Sequence, residues 1–391
     1  MDSFDNAYDF VTAKHPERAT LGLRPHAAAR AASWFLDNFP GEVAYAYKAN
    51  SSVFLLGALY GAGIHSFDVA SLPELEDAAT IPRARLNYMH PVKPRTAIRR
   101  AYHEYGVTCF ALDSHDELEK ILDETGCADD LQLFVRIKVP AINSKIPLER
   151  KFGATADQAV QLLTRTRQYC NKLGVCFHVG SQTVTPHAFE MAFATLRKTI
   201  VEAGVVVDGV DVGGGFPACY SRERPSELIE FVNVIKKHFE SLPVSSDCHL
   251  ICEPGRALVA EAESLIVRVD ARRGKELFIT DGSYGVLFDA AHLKFQLPVR
   301  LVGQKSVKTQ DCTSFSLWGP TCDSIDYIEG PFLLPNSVRE GDYLEIGNIG
   351  AYGRAIASKF NGYGQYNEVI LYDEPIYTMY PKSSNTFVQS V

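Results

Sequence analysis

Val43-Ala44-Tyr45-Ala46-Tyr47-Lys48, followed by Ala49-Asn50, alternates β-branched, small and aromatic residues and ends in a lysine. Such a run reads as a buried strand. A lysine at its end is costly to desolvate, so its amine should have a use. A desolvated amine with a lowered pKa can form a Schiff base with a carbonyl compound. The bland alternative is a lysine that snorkels from a strand end to water.

Outward from this stretch the same unit recurs. Strands are expected at 43–48, 64–69, 86–90, 107–112, 131–139, 175–179, 207–212 and 248–253. Between them lie helical patterns, among them 72–80, 95–105, 116–124, 156–173, 186–203 and 225–242. Strands alternating with helices imply parallel pairing and right-handed crossovers. This predicts an α/β chain with a closed (β/α)8 TIM barrel over residues 25–260, with an open doubly wound sheet as the alternative. After about residue 260 the pattern changes to short strand-like runs at 264–269, 276–280, 299–302 and 343–346, punctuated by Gly and Pro. A β-sandwich or β-barrel-like domain is expected from residues 261–391, completed by residues 1–24.

The 391 residues are ample for a sizeable core. A net charge of −8 argues against a general nucleic-acid binder. The nine cysteines are scattered, odd in number and without a C-x-x-C, which reads as reduced cytoplasmic thiols and not as a disulfide frame or a metal site. The start, Met1-Asp2-Ser3-Phe4-Asp5, lacks the basic and apolar regions of a signal peptide. No apolar stretch is long enough to span a bilayer, so neither a membrane nor a nucleic-acid partner is expected.

Functional side chains of a barrel sit at the C-terminal ends of its strands. Here those ends are Lys48, Asp68, His90, Asp113, Arg136, His178 with Val179-Gly180-Ser181, Asp211-Val212-Gly213-Gly214-Gly215-Phe216-Pro217, and Glu253-Pro254-Gly255-Arg256. Three consecutive glycines leave backbone N–H groups uncovered for an oxyanion, although they could equally form a tight turn. Gly255-Arg256 adds a bare amide and a fork of donors. A reactive lysine, a phosphate cradle and a carboxylate on one rim meet the needs of pyridoxal phosphate, with Glu253 pairing with the ring nitrogen and His178 lying against the ring. A Schiff-base aldolase is the competing reading; it needs no partner for a ring nitrogen.

Tyr47-Lys48-Ala49-Asn50, His178-Val179-Gly180-Ser181, Gly213 to Pro217 and Glu253 to Arg256 follow one another in this order. They are joined by Trp318-Gly319-Pro320-Thr321-Cys322-Asp323-Ser324-Ile325-Asp326, Gly350-Ala351-Tyr352 and Ser358-Lys359-Phe360-Asn361-Gly362. With these motifs the chain resembles, over nearly its whole length, the alanine-racemase-like pyridoxal-phosphate decarboxylases of ornithine, lysine, arginine and diaminopimelate. The ornithine decarboxylase branch is the most similar.

The resemblance implies that Lys48 holds the cofactor aldehyde and that His178 stacks on the ring. It implies that Ser181, Gly213, Gly214, Gly215, Pro254, Gly255, Arg256 and Tyr352 surround the phosphate, and that Glu253 meets the ring nitrogen. Asp68 and Arg136 would support the ring. Cys322 would return a proton to Cα, and Asp323 would bind the distal ammonium of the substrate. Phe288, Asp289 and Phe360 would complete the substrate pocket, and Lys151-Phe152-Gly153 would belong to a mobile loop. In this family Cys322 and Asp323 come from the neighbouring subunit, which implies a homodimer with shared sites.

The expected activity is that of a carboxy-lyase of polyamine biosynthesis. It would convert L-ornithine to putrescine, with L-lysine to cadaverine as a second reaction. Alternatives are decarboxylation of diaminopimelate, arginine or a carboxylated polyamine such as carboxynorspermidine, or a non-catalytic regulatory homologue. The chain departs from the family between Tyr284 and Asp289, where the interval is short.

Overall fold

The computed structural model describes residues 1–221, 223–303 and 311–381. Eight parallel strands close into a barrel in the order Gly209–Asp211, His249–Cys252, Glu42–Ala46, Ser66–Val69, Arg85–Tyr88, Cys109–Leu112, Gln132–Arg136 and Lys172–Cys176. Helices on the outside return the chain between strands, as the alternating pattern requires. Ser71 and Ser114 begin two of them by accepting the backbone N–H of Glu74 and Glu117 at 3.3 and 3.2 Å. Gly106 and Gly126 end two by adopting left-handed backbone.

The barrel centre is filled from below by Phe134, whose Cγ would lie 2.6 Å from a β-carbon at Gly174. Bare glycine backbone there lets one ring plug the barrel. Met89, Cys109, Ala111 and Cys176 pack around this ring, and Met89 and Cys176 also line the upper cavity.

Strand and helix ends differ from the sequence reading in two instructive places. The helix beginning at Ala156 stops at Thr166, and the sixth barrel strand starts at Lys172. Arg167 turns the chain by holding the carbonyls of Cys170 and Asn171 at 2.9 Å. Leu173 is a core residue of the strand and mimicked one more apolar position of the helix. The first strand ends at Ala46, and Lys48 lies in a single 3-10 turn, Tyr47–Ala49. Two helices, Pro25–Asn38 and Val53–Gly61, complete the ring before and after that strand.

A nine-stranded sheet forms the second body of structure. Its long strand Glu263–Arg273 pairs early with Thr20–Leu23 and Tyr343–Ile346 and, past an irregularity between Val269 and Ala271, with Glu276–Ile279. Thr20–Leu23 also pairs in parallel with Asn367–Leu371, which in turn pairs with Ser3–Phe4. The buried guanidinium of Arg24 clamps this region through Glu345 and Asp373, both at 2.7 Å. Among the described residues no helix is long and apolar enough to cross a membrane.

Candidate active site

The turn Tyr47–Ala49 lifts Lys48 into the barrel mouth, and the second body of structure holds that turn in place. Tyr352 donates its backbone N–H to Ala49 O at 2.7 Å, and the Asn50 amide donates to Gly350 O at 2.7 Å and to Glu263 at 2.8 Å. Tyr352 is thereby brought beside Lys48, in left-handed backbone with φ of 66°.

Lys48, Asp68, Arg136, His178, Ser181, Glu253, Arg256, Phe288, Asp289 and Tyr352 all line one cavity of about 450 Å³ at the C-terminal mouth of the barrel. Lys48 Nζ donates to Asp68 Oδ2 at 3.0 Å. The side chain is 41% exposed and lines the cavity. Burial alone would lower its pKa; Asp68, then Tyr352 and Glu253, outweigh that and hold the amine above the ordinary lysine range. The amine is thus held up, not lowered as expected, because Asp68 faces Lys48 across adjacent strands, a pairing with no local signal.

His178 follows the sixth strand. Gly180 N–H donates to its Nδ1 at 3.0 Å, so the ring proton sits on Nε2. Burial, then Arg136 and Lys48, hold its pKa well below the usual value and keep the imidazole neutral. A neutral flat ring of this kind suits stacking.

Glu253 and Asp211, at the ends of the eighth and seventh strands, share a hydrogen bond in the barrel interior. Burial raises both; Asp211 further opposes ionisation of Glu253, whereas the hydrogen bond from Glu253 favours ionised Asp211, so the pair retains a proton on Glu253. Glu253 Oε1 is buried without a partner. A buried acceptor left unsatisfied carries a cost of about 1–3 kcal/mol and calls for a donor.

The side expected to take a phosphate is built from glycine backbone. Gly213 and Gly215 have φ of 65° and 98°, and a β-carbon on Gly215 would come within 2.6 Å of Gly180 O. A β-carbon on Gly255 would press on Ala49 at 3.0 Å, and Pro254 O accepts the Ala46 N–H at 3.5 Å. Gly214 lies between Glu253 and His178. Arg256 is 4% exposed; it donates to the Tyr220 hydroxyl at 2.8 Å and to Asp289 at 3.0 Å, while its Nε is buried without a partner. Tyr220 and the Asp211 partnership were missed in the sequence. Ala218-Cys219-Tyr220 has no periodicity or motif that would flag it, and Asp211 showed only as a strand-end carboxylate.

Cys322, Asp323 and Phe360 are brought together, but elsewhere; none of them lines the Lys48 cavity of the same chain. Cys322 is exposed, with its N–H bound to Asn361 Oδ1 at 3.1 Å. Asp323 accepts the Tyr284 hydroxyl at 2.7 Å, and that bond keeps its carboxyl below the usual range. Phe360 packs on Tyr284 with ring centroids 4.7 Å apart. Beneath them, buried Asp326 accepts the N–H and hydroxyl of both Ser283 and Thr321 at 2.6 to 3.0 Å and fixes the turn that carries Cys322.

The loop expected to be mobile crosses the cavity. Ile146, Leu148 and Phe152 supply an apolar wall, with Lys151 beside them. Ser144–Ile146 pairs antiparallel with Ser181–Thr183. Gly153 N–H is held by Asp113 at 2.8 Å.

A flat ring with a basic nitrogen at one end and a phosphate at the other would satisfy the orphaned Glu253 oxygen and the open Arg256 donor together. Pyridoxal phosphate has that form, and the buried carboxylate excludes the aldolase alternative, which has no use for it. Fold and cavity thus define a pyridoxal-phosphate enzyme of the barrel class. Residues 26–260 match the pyridoxal binding domain of the pyridoxal-dependent decarboxylases, and the chain belongs to that family. It is 30% identical to a lysine/ornithine decarboxylase of Selenomonas ruminantium over 86% of this chain and 84% of that protein. It is 34% identical to antizyme inhibitor 2 of Xenopus laevis, over 82% of this chain and 74% of that protein. A crystal structure of the Paramecium bursaria Chlorella virus arginine decarboxylase bound to agmatine superposes with a TM-score of 0.82 at 25% identity, covering 93% of this chain and 98% of that one.

Proposed function

We propose that this protein is a homodimer that decarboxylates L-ornithine to putrescine and L-lysine to cadaverine, in sites completed by the partner copy. The observation that carries this reading is the separation of two half-sites on one chain. The Lys48 cavity holds what a cofactor needs, and the exposed Cys322–Asp323 turn holds a thiol and an anion that do not line the Lys48 cavity of the same chain.

Bound pyridoxal phosphate supplies a protonated ring into which the electron pair left by departing CO2 can spread. The protein's residues do the rest. Lys48 would hold the cofactor aldehyde. Glu253 would meet the ring nitrogen and help keep it protonated, with Asp211 holding Glu253 in place. Neutral His178 would lie against the ring and exclude water. Ser181, the Gly213–Gly215 backbone, Gly255, Arg256 and Tyr352 would hold the phosphate.

The substrate carboxylate leaves as CO2, and the Cys322 thiol of the other copy gives its proton to Cα, which commits the product to an amine. Asp323, kept ionised by Tyr284, receives the distal ammonium, with Asp289, Phe288 and Phe360 around the methylene chain.

The antizyme-inhibitor relative raises a non-catalytic reading. Retention of both Lys48 and Cys322 argues against it. Comparing amine release from ornithine, lysine, arginine and diaminopimelate in one assay tests the proposal. Ornithine should give the highest kcat/KM, with lysine second. Fastest turnover of arginine or diaminopimelate would overturn the substrate assignment. Cofactor binding without any turnover would establish the non-catalytic reading.

A further inference from the structure

His90 and Asp113 close the third and fourth barrel strands, on the rim across the barrel from the glycine turns. Both act on the loop that crosses the cavity. Asp113 accepts the Gly153 N–H at 2.8 Å, and the His90 ring meets the Phe152 ring edge-on with centroids 5.0 Å apart. His90 is itself fixed. Its Nδ1 accepts the Val92 N–H at 3.1 Å, and the buried Lys93 amine ties its carbonyl to that of Ala111, at 2.9 and 2.6 Å. From the fifth strand, Arg136 O accepts the Ala154 N–H and the Lys138 N–H reaches Ala154 O, both at 2.9 Å. Gly153 has φ of 101°, and a β-carbon there would lie 2.8 Å from Lys138 N, so the close approach of loop to strand requires glycine.

Three strands thus seat one aromatic ring, Phe152, in the cavity wall. The Arg136 guanidinium lies over that ring, 5.3 Å from its centroid, and its side chain makes no hydrogen bond or ion pair among the described residues. Lys151 also lies over the ring, at 4.9 Å, but is exposed. A cation over an aromatic face is attracted by the ring quadrupole.

We propose that Phe152 is a positioning residue: seated by His90 and Asp113, its ring holds the Arg136 guanidinium at the cavity, so that the loop acts on the cofactor through Arg136. The inference rests on the pyridoxal-phosphate reading and deepens it. Arg136 lines the same cavity as Lys48, and its five donors are left for a bound molecule. A guanidinium already held in one place gives up less rotamer freedom when it engages a ligand.

The test uses the full-length protein. Phe152→Leu removes the ring and should weaken pyridoxal phosphate binding, followed by visible absorbance, by roughly three- to tenfold. Phe152→Tyr should bind like the wild type. Arg136→Ala should lose at least as much as Phe152→Leu, and the double variant should lose no more than Arg136→Ala alone. A merely structural role for the ring would add its own loss to that of Arg136→Ala. Inorganic phosphate, followed by thermal shift, should bind equally to all of these, because the glycine turns and Arg256 follow other strands.

The seat is read without cofactor. Trypsin cuts after Lys151, next to Phe152. Asp113→Ala should be cut there roughly tenfold faster than the wild type at an unchanged melting temperature. Asp113→Asn, which keeps an acceptor for Gly153, should not. If Asp113→Ala does not fold, Gly153→Ala tests the same seat by the same cleavage. Wild-type affinity in Phe152→Leu, or losses that add in the double variant, would overturn the proposal, as would an unchanged cleavage rate. Such a failure with intact wild-type binding leaves the cofactor reading standing. A wild type that takes up no pyridoxal phosphate would sink that reading and the part of Arg136 in it, and the cleavage rates would still decide the seat.

Discussion

Lys48 Nζ and Asp68 Oδ2 meet at 3.0 Å across neighbouring barrel strands, and this contact favours the charged form of the amine. The amine is held above its ordinary value, so the stabilising pair is fully present below 10.5 and is lost only as pH rises through the higher folded value. Attachment to an aldehyde needs the neutral amine. Asp68→Asn should therefore move the pH profile of cofactor capture, followed by visible absorbance, to lower pH by about 1–3 units. An unmoved profile would show that Asp68 does not govern Lys48.

Glu253→Gln should retain cofactor, because Lys48 and Arg256 remain, but lose the carboxyl that would become the counter-anion of a protonated ring nitrogen. Losing an opposite charge at such range lowers the partner's pKa by about 1–3 units, so kcat should fall on the order of 10- to 1,000-fold. Pre-steady-state measurement of CO2 release checks this. A rate unchanged within twofold would remove Glu253 from the ring nitrogen.

Because the Cys322 turn lies outside the cavity of its own chain, sites assembled from two copies should complement. Lys48→Ala and Cys322→Ala should each be inactive in amine formation. Mixed in equal amounts after exchange of subunits, they should recover about a quarter of wild-type activity, since half the dimers carry one intact site. No recovery, with exchange verified by differently tagged copies, would rule out shared sites. Cys322→Ala alone should bind cofactor normally and divert turnover to transamination, visible as loss of cofactor absorbance during reaction.

Asp281 is fully buried at the base of the loop that leads to Tyr284 and accepts Tyr366 OH and Val286 N–H, both at 3.0 Å. Burial pushes its carboxyl from 3.8 up to about 7. The folded protein thus holds this proton more tightly than the unfolded chain, so the associated stability is present below 3.8 and is lost as pH rises through about 7. Melting curves across that range should show a steeper decline for wild type than for Asp281→Asn. The difference should be on the order of 2–4 kcal/mol. Parallel curves would contradict the assignment.

The barrel was legible because each strand end breaks an apolar run with a polar residue, and that signal is local. The cofactor side of the site was legible for the same reason: Lys48, His178, Glu253 and Arg256 each close a strand. What stayed hidden depends on pairing across the barrel. Nothing near Asp68 announces that it faces Lys48, and Tyr220 carries no pattern, though it holds Arg256. Leu173 shows the opposite failure, where apolar spacing imitated a helix that Arg167 had already ended. The Cys322 turn was read from motif alone, since its support, Asp326 under Ser283 and Thr321, joins segments far apart in sequence.

The strand Thr20–Leu23 has a consequence for how the chain is made. It leaves the ribosome before any barrel strand, yet both its neighbours, Glu263–Ile266 and Asn367–Ile370, are synthesised only after the barrel is complete. During translation the barrel can close while this segment waits unpaired, an apolar stretch with open backbone. The last strand to emerge then seals the first, so the loop bearing Tyr352 is drawn onto Ala49 late. Competence to hold a cofactor would arise at the end of synthesis, as one event with the closing of the sheet.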